Sequence, residues 1–221
     1  TTSAAGAIAR LVLNGNMVTN YGKDLSGLTA LCDVLPALKN PISLELANCN
    51  LKVAEVNELA RAMAAGAAVN AVTVDGNPIG YPSGASVKPG AVTGVAVKKG
   101  VFAAVDGRFG EVDRGDKEIK LTWLDNGSKS GWINVDKLTS VVASRSDLIE
   151  DYSRIRSLGE ALSSSKLQTY GLANCQFIAA TLTTFVESVR WEPGALARLV
   201  FNGNTNNHYG TDLSGPTARS S

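Results

Sequence analysis

Apolar side chains recur along this chain in five short runs, and each run ends in the same kind of polar residue. Counted from the start of a run, apolar residues fill the fourth and sixth positions, and an Asn or a Cys stands at the ninth. The sixth residues are Leu13, Leu46, Val74, Leu172 and Phe201. The ninth residues are Asn16, Cys49, Asn77, Cys175 and Asn204. Such runs predict short buried strands, with the Asn or Cys satisfying backbone groups where each strand ends.

Between the runs, apolar residues recur at every third or fourth position, as on one face of a helix. This spacing predicts helices within residues 28–35, 51–63, 148–162 and 178–189. Cys32 lies on the first of these faces, so we expect it, like Cys49 and Cys175, to be a core residue and not a reactive thiol or a metal ligand. Each strand–helix pair has one apolar side, which only neighbouring pairs can cover.

The pattern L-x-x-L-x-L-x-x-N/C-x-L, with phrases such as LELANCNL and VTVDGNPIG, resembles the ribonuclease-inhibitor-like leucine-rich repeats. The resemblance covers residues 6–80 and 146–210, and it departs from the family pattern at Pro41 and at Asn206. It implies an α/β fold, a leucine-rich-repeat solenoid of parallel strands backed by helices. It implies little about function, because this family is defined by its shape and binds many partners.

Residues 81–145 interrupt the repeats. They open with YPSGASVKPGAVTG, whose Gly, Pro and Ser residues predict a linker. Short β-like runs then alternate with turn pairs such as Asp106-Gly107 and Asn126-Gly127, which are typical of hairpins. The predicted strands are residues 101–105, 109–113, 117–124, 132–135 and 139–143, with one helical turn at 136–138. Five short strands in so small a segment are typical of a small barrel.

The phrase VKKGVFAAVDGRFGEV, followed by IKLTWLDNGSKSGWINVDKLTSV, resembles a small inserted all-β barrel of the Src-homology-3-like (SH3-like) class, including its KOW and Tudor branches. The resemblance implies that exposed aromatic residues could form a groove for an extended or Pro-rich peptide. The candidate ligand-binding residues are Trp132, Phe109 and Trp123. The alternative is that these aromatic residues fill the barrel. That alternative is favoured for Trp123, whereas both interpretations stay open for Trp132, which lies beside a loop.

A longer period joins the two ends of the chain. GAIARLVLNGNMVTNYGKDLSGLTA begins at Gly6 and GALARLVFNGNTNNHYGTDLSGPTA begins at Gly194, so the segments lie 188 residues apart, and 17 of 25 aligned residues are identical. Uncapped repeat ends expose apolar surface, which favours a larger tandem protein or head-to-tail contacts between chains. The alternative is a local duplication with no role in assembly.

These patterns predict three regions. Residues 1–80 hold the first part of the leucine-rich repeats, and residues 81–145 hold the linker and the inserted SH3-like barrel. Residues 146–221 hold the second part of the repeats and the start of a second copy of the block.

Composition and charge narrow the classes of partner. Lys and Arg number 21 against 20 Asp and Glu, and the resulting net charge of +1 provides no field that would attract nucleic acid. No apolar run of about 18 residues occurs, which excludes a membrane span, and the N-terminus lacks the pattern of a signal peptide. Three widely spaced cysteines form neither a disulfide framework nor a metal motif, so we expect a reducing, cytoplasmic setting.

Few residues suit catalysis. His208 is the single histidine, and its counterpart in the first segment is Asn20. No Ser-His-Asp set, HExxH motif or phosphate-binding loop occurs. Glu45 and Asp75, on adjacent strands, could form a general acid and base, although solvated surface charges are the favoured interpretation. We therefore expect no enzymatic activity, no cofactor and no metal site.

Two functions fit these observations. The first is a non-catalytic structural or scaffold protein, a block of a tandem or self-assembling leucine-rich-repeat array that contacts another copy of itself or another protein. The second is a monovalent adaptor whose SH3-like barrel binds an extended or Pro-rich peptide.

Overall fold

The computed structural model describes residues 8–20, 22–191 and 196–204. These residues divide into two compact units: the first comprises the described residues up to Gly80 and from Ile155 onward, and the second comprises Tyr81–Arg154. Gly6 and Gly194, which begin the two similar segments, lie outside the described residues, as do Asn206 and His208.

The described residues form twelve strands and four α-helices. The strands are β1 (Arg10–Val12), β2 (Ile42–Glu45), β3 (Val69–Thr73), β4 (Gly84–Val87), β5 (Phe102–Val105), β6 (Arg108–Gly115), β7 (Glu118–Trp123), β8 (Ile133–Asn134), β9 (Ser140–Val142), β10 (Leu148–Asp151), β11 (Thr169–Gly171) and β12 (Arg198–Val200). The helices are α1 (Ser26–Val34), α2 (Val53–Ala64), α3 (Ser153–Ser164) and α4 (Ala179–Ser188). Short 3-10 helices occupy Leu35–Ala37, Val135–Lys137 and Arg145–Asp147.

The first unit is built on one parallel sheet with the strand order β1-β2-β3-β11-β12. A helix separates each strand from the next along this order, as parallel neighbours require. The sixth residues of the three inner runs, Leu46, Val74 and Leu172, are fully buried, while Leu13 and Phe201 at the sheet edges are partly buried against the same core. Apolar faces of all four helices contribute to this core, which includes Cys32, Leu59, Leu158 and Phe185.

The predicted leucine-rich-repeat solenoid is wrong. The structure is a mixed α/β fold in which the described residues form one five-stranded parallel sheet, four α-helices and separate antiparallel sheets. The sequence pattern indicated where strands and helices alternate, and these elements lie near the expected positions. Any buried parallel strand followed by an amphipathic helix produces such a pattern. The pattern therefore specified the alternation of elements but not a superhelical stack.

The second unit contains a curled antiparallel sheet with the strand order β8-β7-β6-β5-β9. The prediction of a small inserted SH3-like barrel is also wrong, because this curled sheet is open: its two end strands, β8 and β9, do not pair with each other in the described residues. Closure needs end strands that are long enough to form a ladder, and β8 has only two residues. A register shift between Val112 and Arg114 marks an irregularity in the β6–β7 pairing, a place where strands typically bend.

Two local expectations around this sheet also need correction. The predicted linker contains β4, which pairs antiparallel with β10 in the register Leu148↔Val87. The helix predicted from residue 148 instead begins at Ser153, because Leu148–Asp151 is that second strand. Asp151 ends the strand and accepts a hydrogen bond from the Ser153 backbone N–H at 2.8 Å, which satisfies a free donor at the helix start.

The helices in the described ranges are too short or too polar for any of them to cross a lipid bilayer.

Candidate interaction surfaces

Polar side chains connect the strand ends of the first unit. Asn77 is fully buried; its Nδ2 donates to the carbonyls of Leu46 at 2.8 Å and Val74 at 2.7 Å, and its Oδ1 accepts from the Leu51 backbone N–H at 2.9 Å. It therefore binds both its own strand end and the preceding one. Buried backbone groups at the strand ends need such partners, because no ladder continues there.

Asn204 repeats this arrangement one strand pair further along. Its Nδ2 donates to the carbonyls of Leu172 at 2.7 Å and Phe201 at 2.9 Å, and its Oδ1 accepts from the Phe177 backbone N–H at 3.5 Å. Both asparagines therefore form hydrogen bonds with the end of the preceding strand as well as with the end of their own strand.

The cysteines at the same position in the pattern are buried free thiols, as the sequence predicted. Cys175 Sγ donates to the Val74 carbonyl at 3.3 Å, and Cys49 Sγ donates to the Leu13 carbonyl at 3.2 Å. Burial raises the pKa of the Cys175 thiol to about 12 and that of the Cys32 thiol to about 11. Because the thiolate is the nucleophile, these protonated thiols are unsuited to covalent catalysis at neutral pH.

Asn16, the counterpart of Asn204 in β1's strand–turn segment, has a less complete set of partners. Its Nδ2 donates to the carbonyls of Leu13 at 2.9 Å and Asn14 at 3.4 Å, and both bonds stay within its own strand end. Its side chain is exposed, whereas Asn204 is buried. The difference arises because β12 has β11 before it, whereas β1 has no preceding strand in the described residues.

The backbone hydrogen bonds at the strand ends all run in the same direction across the sheet. Each strand end donates an N–H to a carbonyl of the strand that follows it in the sheet order. These bonds are Leu13 N to Glu45 O, Leu46 N to Thr73 O, Val74 N to Gly171 O and Leu172 N to Val200 O, all between 2.8 and 3.0 Å. Val12 is the counterpart of Val200, so its carbonyl lies on the side of β1 where a preceding strand would donate. Phe201 is the counterpart of Leu13, so its N–H lies on the side of β12 where a following strand would accept.

Apolar surface accompanies the edge at β1. Ile8 is 67 % exposed, and its counterpart Leu196 is half-buried and packs against the core. Val12 is 49 % exposed, and its counterpart Val200 is half-buried. Beside β1, an apolar pocket of about 330 Å³ is lined in part by Ile8, Leu11, Val34 and Leu38. The same strand motif therefore leaves more apolar area in water at β1 than at β12.

The two carboxylates considered for acid–base chemistry have structural partners. Glu45 accepts hydrogen bonds from Arg10 Nε at 2.5 Å and from Asn14 Nδ2 at 3.1 Å. The hydrogen bond from Arg10 lowers the pKa of Glu45. Asp75 Oδ1 accepts from the Ala173 backbone N–H at 2.8 Å, so it holds β11's strand end against its own. Each group is thus engaged as a hydrogen-bond acceptor.

The three aromatic residues predicted to bind a ligand do not share one cluster in the second unit. Phe109 is buried with Phe102 and Leu124, whereas Trp123 packs against the other core cluster of the sheet. Trp132 belongs to neither cluster and is 54 % exposed. Their role in ligand binding stays a prediction.

Cations contact the rings of Trp123 and Trp132. The Arg108 guanidinium lies 4.3 Å from the Trp123 ring centre and binds Asp125 through two hydrogen bonds of 2.6 Å. Arg114 and Lys120 lie 5.3 Å and 5.1 Å from the Trp132 ring centre. Sequence reasoning missed these cation–ring pairs. Lys120 lies opposite Arg114 in the β6–β7 register, but only beyond the irregularity between Val112 and Arg114, which the sequence pattern did not predict. The result is one exposed aromatic residue with two neighbouring positive charges.

The comparisons with known proteins add no assignment. No protein-family model matches this chain, and no curated protein is similar to it in sequence. Within residues 8–20, 22–191 and 196–204, no group of three or more His, Cys, Asp or Glu side chains is arranged to hold a metal ion.

Proposed function

We propose that this chain is a non-catalytic scaffold protein that makes protein–protein contacts by self-association through the edges of its parallel sheet. The observation that carries the proposal is that the same sequence motif forms both edge strands of the parallel sheet, and that the neighbouring strand lies on opposite sides of the motif in β1 and in β12. Arg10–Val12 pairs with the strand that follows it, and Arg198–Val200 pairs with the strand that precedes it. The motif can therefore accept a neighbour on either side.

Uncovered backbone and apolar side chains at an edge favour association. An edge strand presents N–H and C=O groups that another strand can pair with, and proteins that remain monomeric usually protect such edges. Here the edge at β1 has the exposed side chains Ile8 and Val12 and the apolar pocket beside them. Covering this surface with a second copy would remove apolar area from water, which is favourable by about 25 cal/mol for each Å².

Light scattering across a range of protein concentrations tests this function. We expect the apparent mass of the wild-type protein to rise with concentration, and Ile8→Lys to hold the protein at the monomer mass by placing a charge in the contact. Ile149→Lys is the matched control, because Ile149 is an isoleucine of the second unit that is 49 % exposed. We expect it to behave as the wild type. A wild-type protein that stays monomeric at the highest attainable concentration would overturn the proposal.

A second candidate is the adaptor function, which the exposed Trp132 favours. An aromatic ring beside Arg114 and Lys120 provides an apolar face and hydrogen-bond donors for an extended or Pro-rich peptide. In a screen of such peptides against the full chain, we expect Trp132→Ala to abolish binding and Trp191→Ala, which changes another exposed tryptophan in the first unit, to preserve it. Absence of any binding peptide would contradict this candidate.

A further inference from the structure

β1 and β12 are nearly interchangeable strands, and only one of them is seen on the edge of β11. We infer that β1 of one copy replaces β12 of another copy on β11, so that the chain assembles by strand exchange. This inference rests on the proposed self-association and adds its partner surface, namely the edge of β11 in a second copy.

The backbone supports this replacement. β12 lies beside β11 in the register Thr169↔Arg198, Tyr170↔Leu199 and Gly171↔Val200, and the N–H groups of Leu172 and Asn174 donate to the carbonyls of Val200 and Asn202 at 2.8 Å. β1 has the same three residues as β12, and Asn14 stands where β12's segment has Asn202. Val12 and Asn14 therefore provide the same two carbonyls in the same order.

The turn after the strand also fits. Gly203 has a φ of +71° and its counterpart Gly15 has a φ of +73°, so both segments turn in the same left-handed conformation. A β-carbon at Gly203 would collide with Asn174 Oδ1, and β1's segment has a glycine at this place too. On the edge of β11, Asn16 would gain the Leu172 carbonyl and the Phe177 N–H that Asn204 now binds. The partner copy thus completes the hydrogen bonding of Asn16.

One residue sets the preference between the two strands. Phe201 in β12's segment packs edge-on against Phe177 and Phe185, with ring centres 5.2 and 5.3 Å apart, and its counterpart in β1's segment is Leu13. The aromatic contacts favour the chain's own β12 over a second copy's β1. Exchange is therefore held back by Phe201, and replacing it with the residue found at position 13 should shift the balance toward assembly.

Cross-linking between two differently labelled chains tests the exchange. Full-length Thr169→Cys protein is mixed with full-length Arg10→Cys protein and treated with a short bis-maleimide, because residue 10 should take the place that residue 198 has opposite residue 169. The native cysteines are buried, and treatment of unsubstituted protein measures the background cross-linking that they give. Lys98→Cys, an exposed site in the second unit, replaces Arg10→Cys in the control mixture. Mass spectrometry identifies the linked peptides, and light scattering is recorded on the same samples.

We expect a link between positions 10 and 169 of different chains, a severalfold higher yield when both chains carry Phe201→Leu, and no link in the Lys98→Cys mixture. Circular dichroism checks that the Phe201→Leu protein folds. If it does not fold, Leu13→Phe takes its place, because a Phe at position 13 should also raise the yield by giving β1's segment the aromatic contacts of Phe201. Association without the link overturns strand exchange and leaves the proposed function standing. A mixture of chains with the native Phe201 that stays monomeric in light scattering at the highest attainable concentration overturns the proposed function and, with it, strand exchange.

Discussion

At the scale of single residues, burial decides which of the repeated polar side chains contribute to stability. Asn77 and Asn16 hold the same position in the sequence pattern, yet Asn77 joins two strand ends inside the core while Asn16 bonds only within its own. A buried donor or acceptor that loses its partner costs about 1–3 kcal/mol, whereas an exposed one turns to water.

We expect Asn77→Ala to lower the free energy of unfolding by about 3 kcal/mol, because it leaves the Leu46 carbonyl and the Leu51 N–H without their partner. Asn16→Ala is the matched control and should cost less than about 1 kcal/mol. Urea denaturation of both variants measures the difference. Equal losses would show that the buried asparagine is no more important than the exposed one.

The buried Cys175 thiol should make the free energy of unfolding depend on pH in the alkaline range. In the unfolded chain a thiol loses its proton above about pH 8.5. In the folded protein, burial raises the pKa of Cys175 to about 12, so the unfolded state binds fewer protons between these two values. The free energy of unfolding should therefore fall as pH rises, by about 1.4 kcal/mol for each pH unit from this group.

Cys175→Ala removes that contribution, so we expect its free energy of unfolding to fall less steeply than that of the wild type from pH 9 upward. Denaturation at a series of pH values up to about 10.5 measures the two slopes. Parallel curves for the two proteins would mean that the Cys175 thiol titrates alike in the folded and unfolded chains.

At the scale of elements, α4 and β12 are joined through an aromatic cluster. Phe185 of α4 is fully buried and packs edge-on against Phe177 and Phe201, at 5.8 and 5.3 Å between ring centres. The next residue along the helix, Val186, is 43 % exposed. This contrast follows from the helical period, which turns neighbouring residues to different sides.

Phe185→Ala should destabilise the protein by about 3–5 kcal/mol, because it removes buried ring contacts and leaves a cavity. Val186→Ala, on the exposed side of the same helix, should change stability by less than about 0.5 kcal/mol. Thermal and urea denaturation give both values. If the two substitutions were equally mild, the cluster would not hold α4 to the sheet.

At the scale of the whole molecule, the chain has separate apolar cores in its two units. The core of the parallel sheet is formed by residues of the first unit, and the curled sheet packs its own clusters around residues such as Leu121 and Phe109. Loss of packing in one core should therefore increase local opening in that unit first.

Leu121→Ala removes a fully buried side chain from the curled sheet. We expect faster amide hydrogen exchange across Phe102–Val105, Arg108–Gly115 and Glu118–Trp123, with exchange in β2, β3 and β11 unchanged under native conditions. Leu172→Ala is the reciprocal variant, and its effect should lie in the parallel sheet. Faster exchange in both sheets after either substitution would show that the two cores open together.

Much of the local structure could be predicted from apolar spacing. The five runs ending at Asn16, Cys49, Asn77, Cys175 and Asn204 located all five strands of the parallel sheet, because burial of one side is encoded by nearby residues. The same spacing failed at residue 148, where a strand paired with Gly84–Val87 replaced the expected start of a helix. Pairing with a partner strand about 60 residues away determined the secondary structure of that segment, and the local spacing of apolar residues contains no information about this partner.

The candidate surfaces show the same division. The duplication of the motif at positions 10 and 198 was visible in the sequence. The sequence could not show that the first copy pairs with the strand that follows it and the second copy with the strand that precedes it. Trp132, Phe109 and Trp123 could be named as aromatic candidates, yet their burial differs widely because it depends on how the sheet curls.

The sequence by itself determined the alternation of strands and helices, the buried thiols and the repeated edge motif, since each depends on side-chain chemistry at short spacing. Only the tertiary structure decided that the parallel strands form a single sheet in a mixed α/β fold and that the antiparallel sheet stays open between β8 and β9. It also decided which backbone groups at β1 and β12 have no strand beside them in the described residues. The reason is physical: sheet order, closure and edges are set by pairing between distant segments, which no local pattern of apolar and polar residues encodes.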